Sequence, residues 1–156
     1  MWTVIDSPVG PLRLVAGADG LTAIEFSPFR DSVPGDRDDQ HPVLVAAAAQ
    51  LAEYFDGSRT EFDLPLAPVG TDFQQRVWAE LRLIGYGSTA SYGQIAHRLG
   101  LTNAASRAVG LANSRNPIPI VVPCHRVIGA NGTLTGYAGG IERKQALLEL
   151  ESPALV

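Results

Sequence analysis

The chain has 156 residues, 46% of them hydrophobic and 18% charged, the make-up of a globular protein with one ordinary domain or two small ones. No apolar run approaches the roughly 20 residues of a membrane helix, and MWTVIDSPVG has no basic segment leading an apolar core, so a soluble, cytoplasmic protein without a membrane partner is expected. The net charge of −4 conceals an asymmetry: residues 1–70 carry four Arg against eleven acids, whereas residues 71–156 carry seven Arg and one Lys against five, a balance compatible with phosphate contacts.

Three strands are predicted first. WTVID, PLRLVAG and LTAIEFS are β-branched or alternating segments, divided by SPVG and by the turn signal Asp19-Gly20. Residues 27–42 form a polar, acidic, proline-bearing stretch, and its part 28–42 reads as a solvated connection. VLVAAAAQLAEYF, residues 43–55, has good helix propensity and is ended by Asp56-Gly57. EFDLPL is a short strand-like piece. Nothing in residues 1–70 has the make-up of an active site, so they read as a scaffold domain.

From Thr71 the text changes to short capped helices. Thr71-Asp72-Phe73-Gln74 is a capping box, and Phe73, Val77, Leu81 and Ile84 form one apolar face that stops at Gly85. Ser91-Tyr92-Gly93-Gln94 is a second box, opening a helix that buries Ile95, Ala96 and Leu99 and ends at Gly100. Asn103 is placed to cap a third helix, AASRAVGLANSRN, so the pair has the outline of a helix-turn-helix. That third helix is mostly Ala, Gly and Ser, interrupted by Arg107 and Arg115. Small residues permit either close packing on a neighbour or close approach to a nucleic-acid groove, and composition does not choose between them. NPIPIVVP follows as a buried strand or extended segment, then PCHRVIG, an Asn131-Gly132 turn, the glycine-rich GTLTGYAGG, and a closing helix IERKQALLELE.

The chain holds one cysteine, Cys124. A lone thiol excludes an internal disulfide and leaves too few soft ligands for a structural zinc site, so neither metal nor cofactor is expected. A single cysteine is more often an inert core residue than a nucleophile. Against that stand the adjacent His125, the positive Arg126, the glycine-rich loop that follows and the proline before it, because a base or a positive field favours the thiolate. In an extended chain neighbours point to opposite faces, so Cys124 and His125 need a turn or a bridging water to communicate. A base also needs an orienting partner. At about 100° per residue, Ile141, Lys144, Leu147, Leu148 and Glu151 share one stripe, which puts a carboxylate on an apolar face. Glu151 could equally reach solvent or pair with Lys144.

FQQRVWAELRLI, SYGQIA, RAVGLANSRNP, VPCHRVIG, LTGYAGG and LLELE, collinear over residues 71–151, closely resemble the O6-alkylguanine-DNA alkyltransferases. The resemblance implies an α+β chain: a small N-terminal ribonuclease-H-like α/β domain (residues 1–70), then a mostly helical domain (71–156) with a helix-turn-helix that binds DNA and accepts the alkyl group. It implies direct-reversal repair, in which the alkyl group of O6-methylguanine (and O4-methylthymine) in double-stranded DNA passes irreversibly to Cys124, once per molecule. His125 would activate Cys124 through a water, Glu151 would orient His125, and Asn116 would hold the segment carrying the thiol. Tyr92 would serve the nucleotide rotated out of the duplex, and Arg107 would fill its vacated place. The carbonyls of Cys124 and Val127 would accept from the guanine amino group, the Tyr137 ring would pack on the base, the Ala138 N–H would face O6, and Gly136 would help shape the loop. A monomer in solution is expected, with assembly along DNA left open. A non-catalytic sensor of alkylated DNA is the alternative, but such relatives lack the acceptor cysteine. The family's frequent Pro-Tyr-Gly reads Gly85-Tyr86-Gly87 here, and the helix-turn-helix turn has Thr102-Asn103 where many relatives have proline.

Overall fold

A computed structural model describes residues 1–134, 136–137 and 139–152. The chain divides into two compact units, Met1–Val69 and Gly70–Val156.

In the first unit, β1 (Trp2–Ile5), β2 (Leu12–Gly17) and β3 (Gly20–Phe26) form an antiparallel sheet in the order β1-β2-β3. Pairings such as Trp2↔Val15 and Leu12↔Phe26 fix the register, and a shift between Val15 and Ala16 marks a bulge. Helix α1 (Pro42–Phe55) packs on this sheet and buries Leu44, Ala47, Leu51 and Tyr54, a helical stripe that meets the buried Leu12, Leu14 and Ile24 side of the core. Pro42 sits in the first turn, where its missing N–H costs nothing, and the His41 ring accepts from the Val43 N–H. EFDLPL does not become a strand. Only Leu66 bridges, beside Leu21, with Leu21 N–H donating to the Pro65 carbonyl at 2.8 Å and Ala67 N–H to the Leu21 carbonyl at 2.8 Å. Pro65 and Pro68 lack the donors that would continue the ladder. Gly20, at φ +143°, is required here because a side chain would collide with the Pro65 carbonyl.

The acidic stretch is more firmly tied than a solvated connection. Arg13, 8% exposed, holds Glu25 through two bonds (2.7 and 3.1 Å) and donates to the Asp31 carbonyl. The Thr3 hydroxyl donates to Asp39 at 2.7 Å, and Arg37 bridges beside Trp2 with its guanidinium over the indole ring. The loop is thus tied to the sheet through the Asp31 carbonyl and the Asp39 carboxylate, which a composition count does not reveal.

In the second unit, α2 (Asp72–Leu81) and α3 (Tyr92–Arg98) each begin with a complete capping box. Thr71 and Gln74 exchange bonds of 3.2 and 2.9 Å; Ser91 and Gln94 exchange bonds of 3.1 and 2.8 Å. Each N-cap is worth about 1 kcal/mol. Helix α4 (Ser106–Ser114) packs against both, and the Trp78 indole N–H donates to the Ala112 carbonyl at 2.9 Å inside the core. Asn103 does not cap α4. Residues 103–105 form a 3₁₀ turn, α4 starts without a side-chain cap, and the Asn103 amide oxygen lies 3.0 Å from the His97 ring nitrogen. That oxygen occupies the space where any side chain at Gly93 would stand, so the absent Cβ is what lets the turn close on α3.

A two-residue parallel ladder, β4 (Ala90–Ser91) with β5 (Val127–Ile128), joins the start of α3 to the segment after Cys124. Helix α5 (Ile141–Glu151) closes the unit, burying Lys144, Leu147 and Glu151.

Candidate active site

NPIPIVVP is not extended. Asn116 is buried and its side chain folds the segment: Nδ2 donates to the Val122 carbonyl at 2.7 Å and Oδ1 accepts from Ile118 N–H at 3.0 Å. Val122 N–H bonds back to the Ile118 carbonyl, and the buried Ile120 adopts φ +74°, which a β-branched residue tolerates only when its surroundings enforce it. The chain leaves this coil at Pro123 and turns through a 3₁₀ segment, Cys124–Arg126. That turn, rather than a strand, presents the three successive side chains to one buried neighbourhood.

The three are 4%, 0% and 6% exposed. His125 Nε2 lies 2.6 Å from Glu151 Oε2. Arg126 takes the same carboxylate in a forked grip, Nε to Oε1 at 2.7 Å and a terminal nitrogen to Oε2 at 3.0 Å, while its other terminal nitrogen donates to the Ile84 carbonyl at 2.6 Å. Held by Arg126, Glu151 stays an acceptor, so the His125 proton resides on Nε2 and Nδ1 is the basic nitrogen. Nδ1 is buried and has no hydrogen-bond partner among the described residues. Burial drives the His125 pKa below the ordinary 6.5, against the pull of Glu151, so the imidazole is neutral.

Cys124 shows the same competition with opposite sign. Burial pushes the thiol up to about 11, although hydrogen bonding by Asn116, the charge of Lys144 and hydrogen bonding by Tyr137 oppose the rise. Lys144 is fully buried; its Nζ donates to the Val127 carbonyl at 2.6 Å, and burial lowers its pKa while Cys124 raises it. At rest, therefore, the sulfur is a protonated thiol beside a neutral base. Iodoacetamide is expected to label folded Cys124 far more slowly at pH 7.5 than the denatured chain, whose thiol titrates near 8.5. The labelling rate of the folded protein should climb about tenfold per pH unit toward the folded pKa of about 11. Equal labelling of folded and unfolded protein would contradict this.

These parts of the site all lie within the second unit: a buried thiol, a neutral imidazole oriented by a carboxylate, and an arginine that locks the carboxylate. Two family models match the chain. One, described as 6-O-methylguanine DNA methyltransferase, DNA binding domain, covers residues 72–153; the other, its ribonuclease-like domain, covers residues 1–68. The chain belongs to the 6-O-methylguanine DNA methyltransferase family. A methylated-DNA–protein-cysteine methyltransferase of Mycobacterium tuberculosis is 53% identical over 155 residues, covering 96% of this chain and 91% of its own. A protein of the same name from Methanosarcina acetivorans is 48% identical over 152 residues, covering 96% and 97%. The crystal structure of M. tuberculosis OGT in complex with DNA superposes with a TM-score of 0.90 at 52% identity, covering 97% of this chain and 92% of that one.

For the remaining residues to which the family resemblance gives roles, the structure supplies positions. Tyr92 begins α3 and its ring lies against Gly110 of α4. Tyr92 also lines an open cleft of about 600 Å³ with Gln94, His97, Arg98, Asn103 and Ser106. Arg107, in the first turn of α4, is exposed. Tyr137 is half-buried with its side chain toward Cys124, and Gly136 is exposed. Ala138 lies outside the described residues. The Val127 carbonyl already holds Lys144, and the Cys124 carbonyl holds the amide of Asn113 at 3.3 Å.

Sequence reasoning gave Arg126 only a general positive charge, offered Lys144 only as a stripe residue that could pair with Glu151, and passed over Asn113. A signal existed for each. Each is a polar residue placed where its neighbours are apolar and buried.

Proposed function

We propose that the protein is a methylated-DNA–protein-cysteine methyltransferase, a repair enzyme of single turnover. It moves the methyl group of O6-methylguanine, and of O4-methylthymine, in double-stranded DNA onto Cys124. Residues 71–156 bind DNA and carry the acceptor; residues 1–70 serve as scaffold. It works in the cytoplasm as a monomer. The observation that carries this reading is the buried Cys124 preceding a His125–Glu151 pair of 2.6 Å in a chain of this family.

The lesion must leave the stack to meet a sulfur this deeply placed. The helix-turn-helix formed by α3 and α4 docks the duplex, Arg107 occupies the gap left by the rotated nucleotide, and Tyr92 stands at that nucleotide. Gly136 shapes the loop, the Tyr137 ring packs on the base, and the Ala138 N–H faces O6. Through a bridging water, Nδ1 of His125 takes the thiol proton as the sulfur attacks the methyl carbon in line. The C–S bond forms while the C–O6 bond breaks, and its electron pair withdraws onto the base. The proton lost by the thiol is returned to the guanine ring, so the sum is a thiol plus O6-methylguanine giving a thioether plus guanine. Glu151 holds the imidazolium as it forms, and Asn116 keeps the Cys124 turn in place. A thioether is a poor leaving group, which makes the reaction irreversible.

A thiol of high resting pKa suits a protein used once. It ignores stray electrophiles and becomes a nucleophile only as its proton is withdrawn in the loaded site. Mixing with excess O6-methylguanine duplex should put one methyl group on each protein molecule, on the peptide bearing Cys124, and none on Cys124→Ser. Repair of many lesions per molecule, or repair by Cys124→Ser, would overturn the reading.

A further inference from the structure

Asn113 is the penultimate residue of α4 and is 2% exposed. Its Nδ2 donates to the Cys124 carbonyl at 3.3 Å, yet its Oδ1 is buried and has no hydrogen-bond partner among the described residues. Packing alone does not call for an amide here. Its helix neighbours Val109 and Ala112 are buried and apolar, and an apolar side chain would fill the site without leaving an acceptor dry. A half-satisfied amide touching the backbone of the acceptor residue is therefore a group waiting for a donor.

The surrounding atoms define that donor. The Cys124 carbonyl takes both Asn113 Nδ2 and the Val127 N–H that closes its 3₁₀ turn, and the Val127 carbonyl takes Lys144 Nζ. Asn113 Oδ1, in the amide bonded to the Cys124 carbonyl, is left as an acceptor without a donor among the described residues. Among alkylated bases, O6-alkylguanine brings a 2-amino group with two hydrogens, whereas O4-alkylthymine brings no N–H at its ring edge. Oδ1 is separated from Nδ2 by a single carbon. An amino group that approaches the Cys124 carbonyl thus finds its open acceptor at Oδ1, one amide's width away.

We propose that Asn113 is a specificity-determining residue: its unfilled Oδ1 accepts from the 2-amino group of the extruded O6-alkylguanine and so favours guanine over lesions lacking that group. This assignment rests on the methyltransferase reading above. It adds a side-chain acceptor to the backbone ones and explains why the amide is kept half-satisfied, since a site built around N–H donors penalises analogues without them.

The test compares single-turnover rates on duplexes carrying O6-methylguanine, O6-methylhypoxanthine (the same lesion without the 2-amino group) and O4-methylthymine. The wild type should prefer the guanine lesion to both others, and in Asn113→Leu the guanine-to-hypoxanthine rate ratio should fall about tenfold. The ratio is taken within one preparation, so a loss of folded protein does not move it. Asn113→Ser, which retains a hydroxyl acceptor, should keep part of the preference and decides the matter if the leucine variant does not fold. An unchanged ratio in the variant overturns the assignment and leaves the methyltransferase reading intact. Failure of the wild type to take a methyl group from any duplex overturns that reading, and the assignment with it.

Discussion

Glu151→Gln is expected to destabilise the second unit by about 3–5 kcal/mol, the usual result of leaving a buried charge unpaired. The substitution keeps the shape but strips Arg126, whose side chain is 7% exposed, of the carboxylate it grips at 2.7 Å. Unfolding of this unit can be followed separately, because Trp78 belongs to it and Trp2 to the other; a Trp2→Phe background isolates the signal. Methyl transfer should also slow about 10²-fold or more, since the imidazole loses the anion that stabilises its protonated form. Arg126→Met added to Glu151→Gln should recover much of the stability, because no buried charge is then left without its counter-charge, and none of the rate. Recovery of both would mean that the carboxylate acts only as a strut.

His125→Ala is expected to lower the single-turnover rate on O6-methylguanine duplex by about 10²–10⁴-fold. The pH profile separates the loss of a base from a loss of shape. In the wild type the base must be neutral, and burial holds its pKa below 6.5, so the rate should be level near neutrality and fall only as acid protonates the ring. Without the imidazole, attack depends on direct ionisation of a thiol whose pKa is about 11, so the variant's rate should rise steadily through the alkaline range. A variant whose profile kept the wild-type form would show that His125 is not the base.

Much of this was legible in the residues. Three strands, the α1 stripe and both capping boxes depend on neighbours within one turn or one hairpin, and such local chemistry is written in the order of the side chains. The Cys124–His125–Glu151 grouping was legible through motif likeness and the odd carboxylate on an apolar stripe. What was missed depends on partners far apart in sequence. Arg126 could not be matched with Glu151 rather than with any other acid, because their ring closes over 25 positions. Lys144 was a candidate for Glu151, but folding gives it the Val127 carbonyl 17 residues away. NPIPIVVP has the composition of a strand, yet the two bonds of Asn116 and the backbone bond from Val122 to Ile118 coil it, overriding the backbone preference of Ile120. Asn103 had a good cap position by spacing, yet His97 and the space above Gly93 gave its side chain a better place.

A ladder of only two residue pairs ties the Cys124 turn to the start of α3. Val127 and Ile128 follow the Cys124 turn directly, and they are laced to Ala90 and Ser91, the latter being the cap on which α3 is built. Few peptide bonds thus separate the turn that carries the sulfur from the helix that opens at Tyr92. Added bulk at the sulfur that shifts Val127 is therefore expected to move the α3 cap as well, without crossing the rest of the core.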